Sequence, residues 1–143
     1  VGIGGVLLYT KYFPITHGLK WDVFDAFAER VASMICSDSE GFRTADAILY
    51  FSAGLSTLRT RRSGDSGRLR RHHEQNLLLL PYERAFYTNL SGLCPDSVFI
   101  VDAENPQSVV LEKATAVLSR WSSSKGSAPG LVELLQLVRS LGA

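Results

Sequence analysis

The chain has 143 residues, 45% of them hydrophobic and 20% charged, which suits one domain with a real core and little more. A net charge of +1 excludes a whole-molecule field that draws the chain to nucleic acid or to an anionic membrane. The longest apolar runs, Val6 to Tyr9 and Leu77 to Leu80, fall far short of the roughly 20 residues of a membrane span, so no span is expected.

Two cysteines, Cys36 and Cys94, stand outside any CxxC pair and away from any metal-spaced histidine. They read first as buried thiols of a reducing intracellular compartment, with a disulfide or a zinc site as the alternatives. The chain opens at Val1 and not at Met, as expected of a processed or partial sequence.

In chain order, Val6 to Tyr9 fits either a buried strand or the entry to a helix. Pro14 and Gly18 then mark a loop. Lys20 to Cys36 is the clearest helix, with Trp21, Phe24, Ala28, Val31 and Ile35 on one face and Asp22, Asp25, Glu29 and Arg30 on the other. Ser37 to Gly41 ends it.

Ala47 to Phe51 is too short for a helix and reads as a strand covered on both faces. Ser52-Ala53-Gly54 breaks it, and Leu55 to Arg62 is helical. Ser63 to Gly67 is a polar insert. Arg68 to Leu93 is helical but interrupted at Pro81, which either opens a new helix or kinks a continuous one. Pro95-Asp96 turns the chain into a second buried strand, Ser97 to Val101, closed by Asp102 to Pro106. Gln107 to Trp121 is a helix with Val110, Ala114, Val117, Leu118 and Trp121 inward. A Ser/Gly/Pro linker at 122–130 leads to a terminal amphipathic helix at 131–143. Its stripe of Leu131, Leu134, Leu135, Val138 and Leu141 fits either this domain or another chain, with a partner slightly favoured.

This order predicts an α/β fold with a partial parallel sheet and crossover helices in a domain spanning 1–121. With two strands in evidence, the sheet needs strands from elsewhere.

Charge is concentrated in one place. Six of the fifteen Lys and Arg residues lie between Arg59 and Arg71, against the single acid Asp65. The segment sits between Ala45-Asp46-Ala47-Ile48-Leu49-Tyr50-Phe51 and Val98-Phe99-Ile100-Val101-Asp102-Ala103. Leu58-Arg59-Thr60-Arg61-Arg62 precedes the insert, and Tyr82-Glu83-Arg84-Ala85-Phe86-Tyr87 follows it. Over residues 8 to 121 this arrangement resembles the C-terminal half of P-loop deoxynucleoside and thymidylate kinases.

The resemblance implies a P-loop-kinase-like fold lacking its N-terminal P-loop half. It places Arg59, Arg61 and Arg62 at the base of a lid, and Arg68, Arg70 and Arg71 on its far side. Planar guanidinium groups suit the charge that phosphoryl transfer builds on phosphate oxygens. The same arginines also fit a solvated basic loop or a contact for an acidic partner surface.

The phosphate-cradling loop is absent from these residues. There is no Gly-Lys-Ser/Thr, and Gly2-Ile3-Gly4-Gly5 lacks the lysine and the hydroxyl. The family's Asp-Arg pair has no counterpart at Leu7 to Tyr12. The expectation is therefore a non-catalytic accessory subunit of a larger, mitochondrial assembly. The kinase-like subunit of respiratory complex I is the precedent the resemblance suggests. On that reading no catalytic residue, metal or cofactor is expected, and the partners are other protein subunits. One alternative is part of an active nucleoside or nucleotide kinase, using ATP and magnesium, whose P-loop lies elsewhere. Another is an RNA contact through the arginines, with Tyr82 and Tyr87 nearby.

Other groups read blandly. Adjacent His72 and His73 point about 100° apart on a helix and suit a surface cap better than a metal. His17 lacks a visible acid–base partner. Ser52, Ser56 and Ser66 lack a nucleophile-elbow setting. Asp102 and Glu104 flank a strand end and read first as turn formers.

Overall fold

The computed structural model describes residues 3–16, 24–37, 45–63, 73–124 and 129–141. The order of elements is α1 (Ile3–Thr16), α2 (Phe24–Ser37), β1 (Ile48–Ser52), α3 (Leu55–Ser63), α4 (His73–Leu77), α5 (Leu80–Leu93), β2 (Val98–Asp102), α6 (Gln107–Ser124) and α7 (Leu131–Ser140). The expected mixed α/β class holds, mostly helical, around a small parallel sheet.

β1 and β2 pair in parallel from Ile48–Val98 to Ser52–Asp102. A parallel neighbour requires a crossover, and α3 to α5 lie in that connection. Within the sheet, Ile48 and Val98 join the core beside Phe86 and Leu90 of α5, and Tyr50 stacks on Tyr87 of the same helix. By the two-residue alternation of strands, Leu49, Phe51, Phe99 and Val101 face the other side, toward the layer of α6.

The expectation of a β1 covered on both faces is corrected. Its residues are half-buried, and Phe51 is 51% exposed. Among the described residues no third strand flanks it. Leu118, expected inward on α6, is 44% exposed, while Ala114 and Val117 are buried.

The apolar run near the start of the chain is helical, because α1 continues through it and carries Pro14 in its last turn. Pro14 therefore lies inside the last turn of a helix and not in a loop, while Gly18 lies outside the described residues. At the other interruption, Leu78 and Leu79 form a turn and Pro81 sits in the first turn of α5. A proline there gives up an amide that has no intrahelical partner anyway. α6 runs on through Ser124, three residues into the expected linker.

The terminal stripe is occupied within the chain. Leu134, Leu135, Leu137 and Val138 share one cluster with Leu7, Leu8 and Tyr12 of α1 and Phe86 and Leu90 of α5. The slight preference for a partner on α7 is thus corrected. A Leu or Phe buried this fully contributes about 2 kcal/mol over an exposed one.

Two contacts close the α1–α7 junction. At Gly4 a Cβ would stand 3.2 Å from the Phe86 ring of α5 and 3.5 Å from Leu134 of α7, so α1 comes close to both helices here. Lys11 Nζ donates to the carbonyls of Val138 (2.6 Å), Arg139 (3.3 Å) and Leu141 (2.5 Å). These belong to the C-terminal end of α7, where carbonyls lack helical partners and the dipole favours a cation. Next to Lys11, the Tyr12 ring stacks on Tyr82 with centroids 3.9 Å apart. Burial, with Tyr82 adding to it, pushes the Tyr12 phenol up to about 12.

Candidate functional site

Both strands end at the same edge of the sheet, and each hands the chain to a helix. β1 passes through Ala53-Gly54 into α3, and β2 passes through 103–106 into α6. The Ala103 amide donates to the Ser52 carbonyl at 2.8 Å, which carries the pairing one step beyond the strands. In open parallel sheets ligands bind outside such carboxyl ends.

Glu104 fills this place from within. Its Oε1 accepts a hydrogen bond from the Gly54 amide, and its Oε2 accepts one from the Thr57 hydroxyl. Those donors belong to the start of α3, where unpaired amides and the helix dipole favour an anion. Gly54 has room for the carboxylate because it lacks a Cβ, which would stand 2.9 Å from Oε1. The Thr57 hydroxyl, and then the Gly54 amide, hold the Glu104 carboxyl below its ordinary range. A carboxylate so held is a poor proton acceptor.

Asp102 organises the turn that presents Glu104. It accepts the Glu104 amide and the Asn105 side-chain amide, each at 3.0 Å, and Lys113 stands 3.8 Å away. Turn formation, the role expected of Asp102, is what these bonds accomplish. Glu104 does more than turn the chain.

The expected lid-base arginines diverge. Arg59 pairs with Glu74 of α4 at 2.8 Å, an exposed bridge that raises the guanidinium pKa. Arg61 donates to the Asn105 carbonyl at 3.1 Å and so ties α3 to the β2–α6 turn. Arg62 is half-buried near the end of α3. Arg68, Arg70 and Arg71 lie outside the described residues, as do His17, Ser66 and His72.

Beside this edge an open cleft of about 550 Å3 runs along α5, lined by Leu55, Leu80, Pro81 and Ala85 with Arg84 and Thr88. Its cation is already engaged, since Arg84 donates to the Ala53 carbonyl at 2.9 Å. Farther in, Glu83 is half-buried near the stacked Tyr50 and Tyr87, and loss of water raises its pKa. Burial, followed by the Glu83 charge, also raises both phenols. Cys94 is a half-buried free thiol pushed up by burial and then by Glu133. Among the described residues no cluster of His, Cys, Asp and Glu is arranged to hold a metal ion. None of their helices is long and apolar enough to cross a membrane.

Sequence reasoning missed Thr57, Arg84 and Glu83. The first had a signal in Gly54-Leu55-Ser56-Thr57, a glycine directly between strand and helix that leaves space for a foreign group. The other two had none, because their roles come from packing against β1. Compared with protein-family models, curated proteins and solved structures, the chain matches none.

Proposed function

We propose that this chain is a non-catalytic, kinase-derived accessory subunit of a larger protein assembly, with a mitochondrial complex as its setting. One observation carries this reading: the Glu104 carboxylate sits on the start of α3, where an anionic ligand at the strand ends would otherwise be held. Two lid-base arginines are engaged as well, Arg59 with a carboxylate and Arg61 with a carbonyl. A phosphate entering here has to displace an internal anion that is already correctly placed, without help from a Gly-Lys-Ser/Thr loop in these residues.

The test is a phosphoryl-transfer assay with ATP, magnesium and either thymidine or thymidylate. The expected result is no product above background, with no protection of the Gly54 amide from hydrogen exchange by ATP. Turnover, or ATP-dependent protection of Gly54, overturns the reading in favour of a kinase portion. Retention of a discrete RNA, lost when Arg59, Arg61 and Arg62 are changed together to alanine, overturns it in favour of an RNA contact.

A further inference from the structure

Among the described residues no strand pairs with the outer edge of β1, and ladder geometry fixes what that edge presents. The Ile48 amide donates to the Ser97 carbonyl, and the Ser52 carbonyl accepts from Ala103. Ile48, Tyr50 and Ser52 therefore turn their backbone groups toward β2. Alternation turns the amides and carbonyls of Leu49 and Phe51 the other way. No described strand lies on that side.

Edge strands are commonly guarded by a charge, a proline or a bulge. Ile48-Leu49-Tyr50-Phe51-Ser52 has neither charge nor proline, and its pairs with β2 run in unbroken register. β2 differs, because it ends in Asp102 with Lys113 nearby.

The β1 edge also complements itself. A two-fold axis normal to the sheet, midway between Tyr50 and its copy, sets Leu49 opposite Phe51 of a second copy, and Phe51 opposite its Leu49. Both residues carry outward backbone groups, so each such pair exchanges two hydrogen bonds. Their side chains lie on one face, and Phe51, 51% exposed, gains an apolar neighbour. The same operation sets Asp46 opposite Gly54 of the second copy. There it meets Arg84, anchored at 2.9 Å on the neighbouring Ala53 carbonyl. Asp46 and Arg84 are both exposed, and symmetry makes this opposite-charge contact twice. Because Arg84 occupies the Ala53 carbonyl, the new ladder stops there.

We propose that two copies of this chain join by antiparallel pairing of their β1 edges, producing a continuous sheet in the order β2-β1-β1-β2. This puts a strand on the side of β1 where no described strand lies.

Sedimentation of the full chain across the micromolar range is expected to show a reversible, concentration-dependent dimer. Hydrogen exchange should slow at the Leu49 and Phe51 amides as dimer forms, while Ile48 and Tyr50 stay unchanged. Phe51→Lys alters an exposed side chain and should leave the circular dichroism intact but the chain monomeric. Arg84→Glu should weaken the dimer by about tenfold, since each lost pair counts twice, and Asp46→Arg added to it should restore the affinity. A chain that stays monomeric throughout overturns the proposal. So does a dimer indifferent to Phe51→Lys and to the charge swap. An added Val-Thr heptapeptide that protects the Leu49 and Phe51 amides of a monomeric chain also overturns it, by giving the edge to a foreign strand.

Discussion

The carboxylate of Glu104 accepts a hydrogen bond from the backbone amide of Gly54, fifty residues earlier in the chain. It thereby caps α3 from the neighbouring strand and fastens the two strand ends together. Glu104→Ala should lower the thermal midpoint and loosen α3, read as faster exchange at the Leu58 amide. Glu104→Gln keeps the shape but only one acceptor oxygen, and its loss should be smaller than that of Glu104→Ala.

Acid should release this cap. The folded pKa of Glu104 lies below the unfolded one, so its contribution is fully present above the ordinary carboxylate range. That contribution is lost as pH falls through the depressed value. Urea melts between neutral pH and strong acid should show wild type losing more stability than Glu104→Gln over that interval. Parallel curves would refute the assignment.

Glu83 has the opposite sign. Burial raises its pKa, so ionisation at neutral pH works against the fold, and the penalty grows as pH rises from the unfolded pKa through the folded one. Glu83→Gln should therefore raise the unfolding midpoint at neutral pH and have less effect in acid. The difference between melts at the two pH values checks this.

Lys11 closes the C-terminal end of α7 with bonds to Val138, Arg139 and Leu141. Lys11→Met keeps the aliphatic stem and removes the charge and donors. It should cost about 1–2 kcal/mol in equilibrium unfolding, as for a charged hydrogen bond at a helix terminus.

The docking of α7 is tested by a cavity. Leu134 is 1% exposed among Leu7, Phe86 and Leu90, and Leu134→Ala should cost about 2–5 kcal/mol. Gly4→Leu should cost about 1–3 kcal/mol by overpacking, because its side chain has to enter space held by Phe86 and Leu134. If Leu134→Ala leaves stability unchanged, α7 is not part of this core.

The sequence by itself determined the local elements. Ala47 to Phe51 and Ser97 to Val101 locate the strands to within one residue, because short β-rich apolar runs bounded by turns have little else to become. α3, α6 and α7 start where helical periodicity begins. Pro81 marks the interruption of the long helical stretch, leaving open a new helix or a kink, and the structure places it in the first turn of α5, where proline costs least.

Tertiary structure alone decided three things. Near Val6, apolar residues satisfy strand and helix equally, and packing of Leu7, Leu8 and Tyr12 against α5 and α7 settles the choice as helix. The α7 stripe is the same pattern whether it meets its own chain or another, and only the α1–α5 surface shows which. Of the six arginines grouped by their closeness in sequence, Arg59, Arg61 and Arg62 are among the described residues, and the structure gives the partners of the first two. Arg59 turns to Glu74 and Arg61 to Asn105, while Glu104 takes the start of α3 from across the sheet. Periodicity reports which face of an element is apolar. It carries no information about which distant group arrives to meet it, since that depends on contacts between residues far apart in the chain.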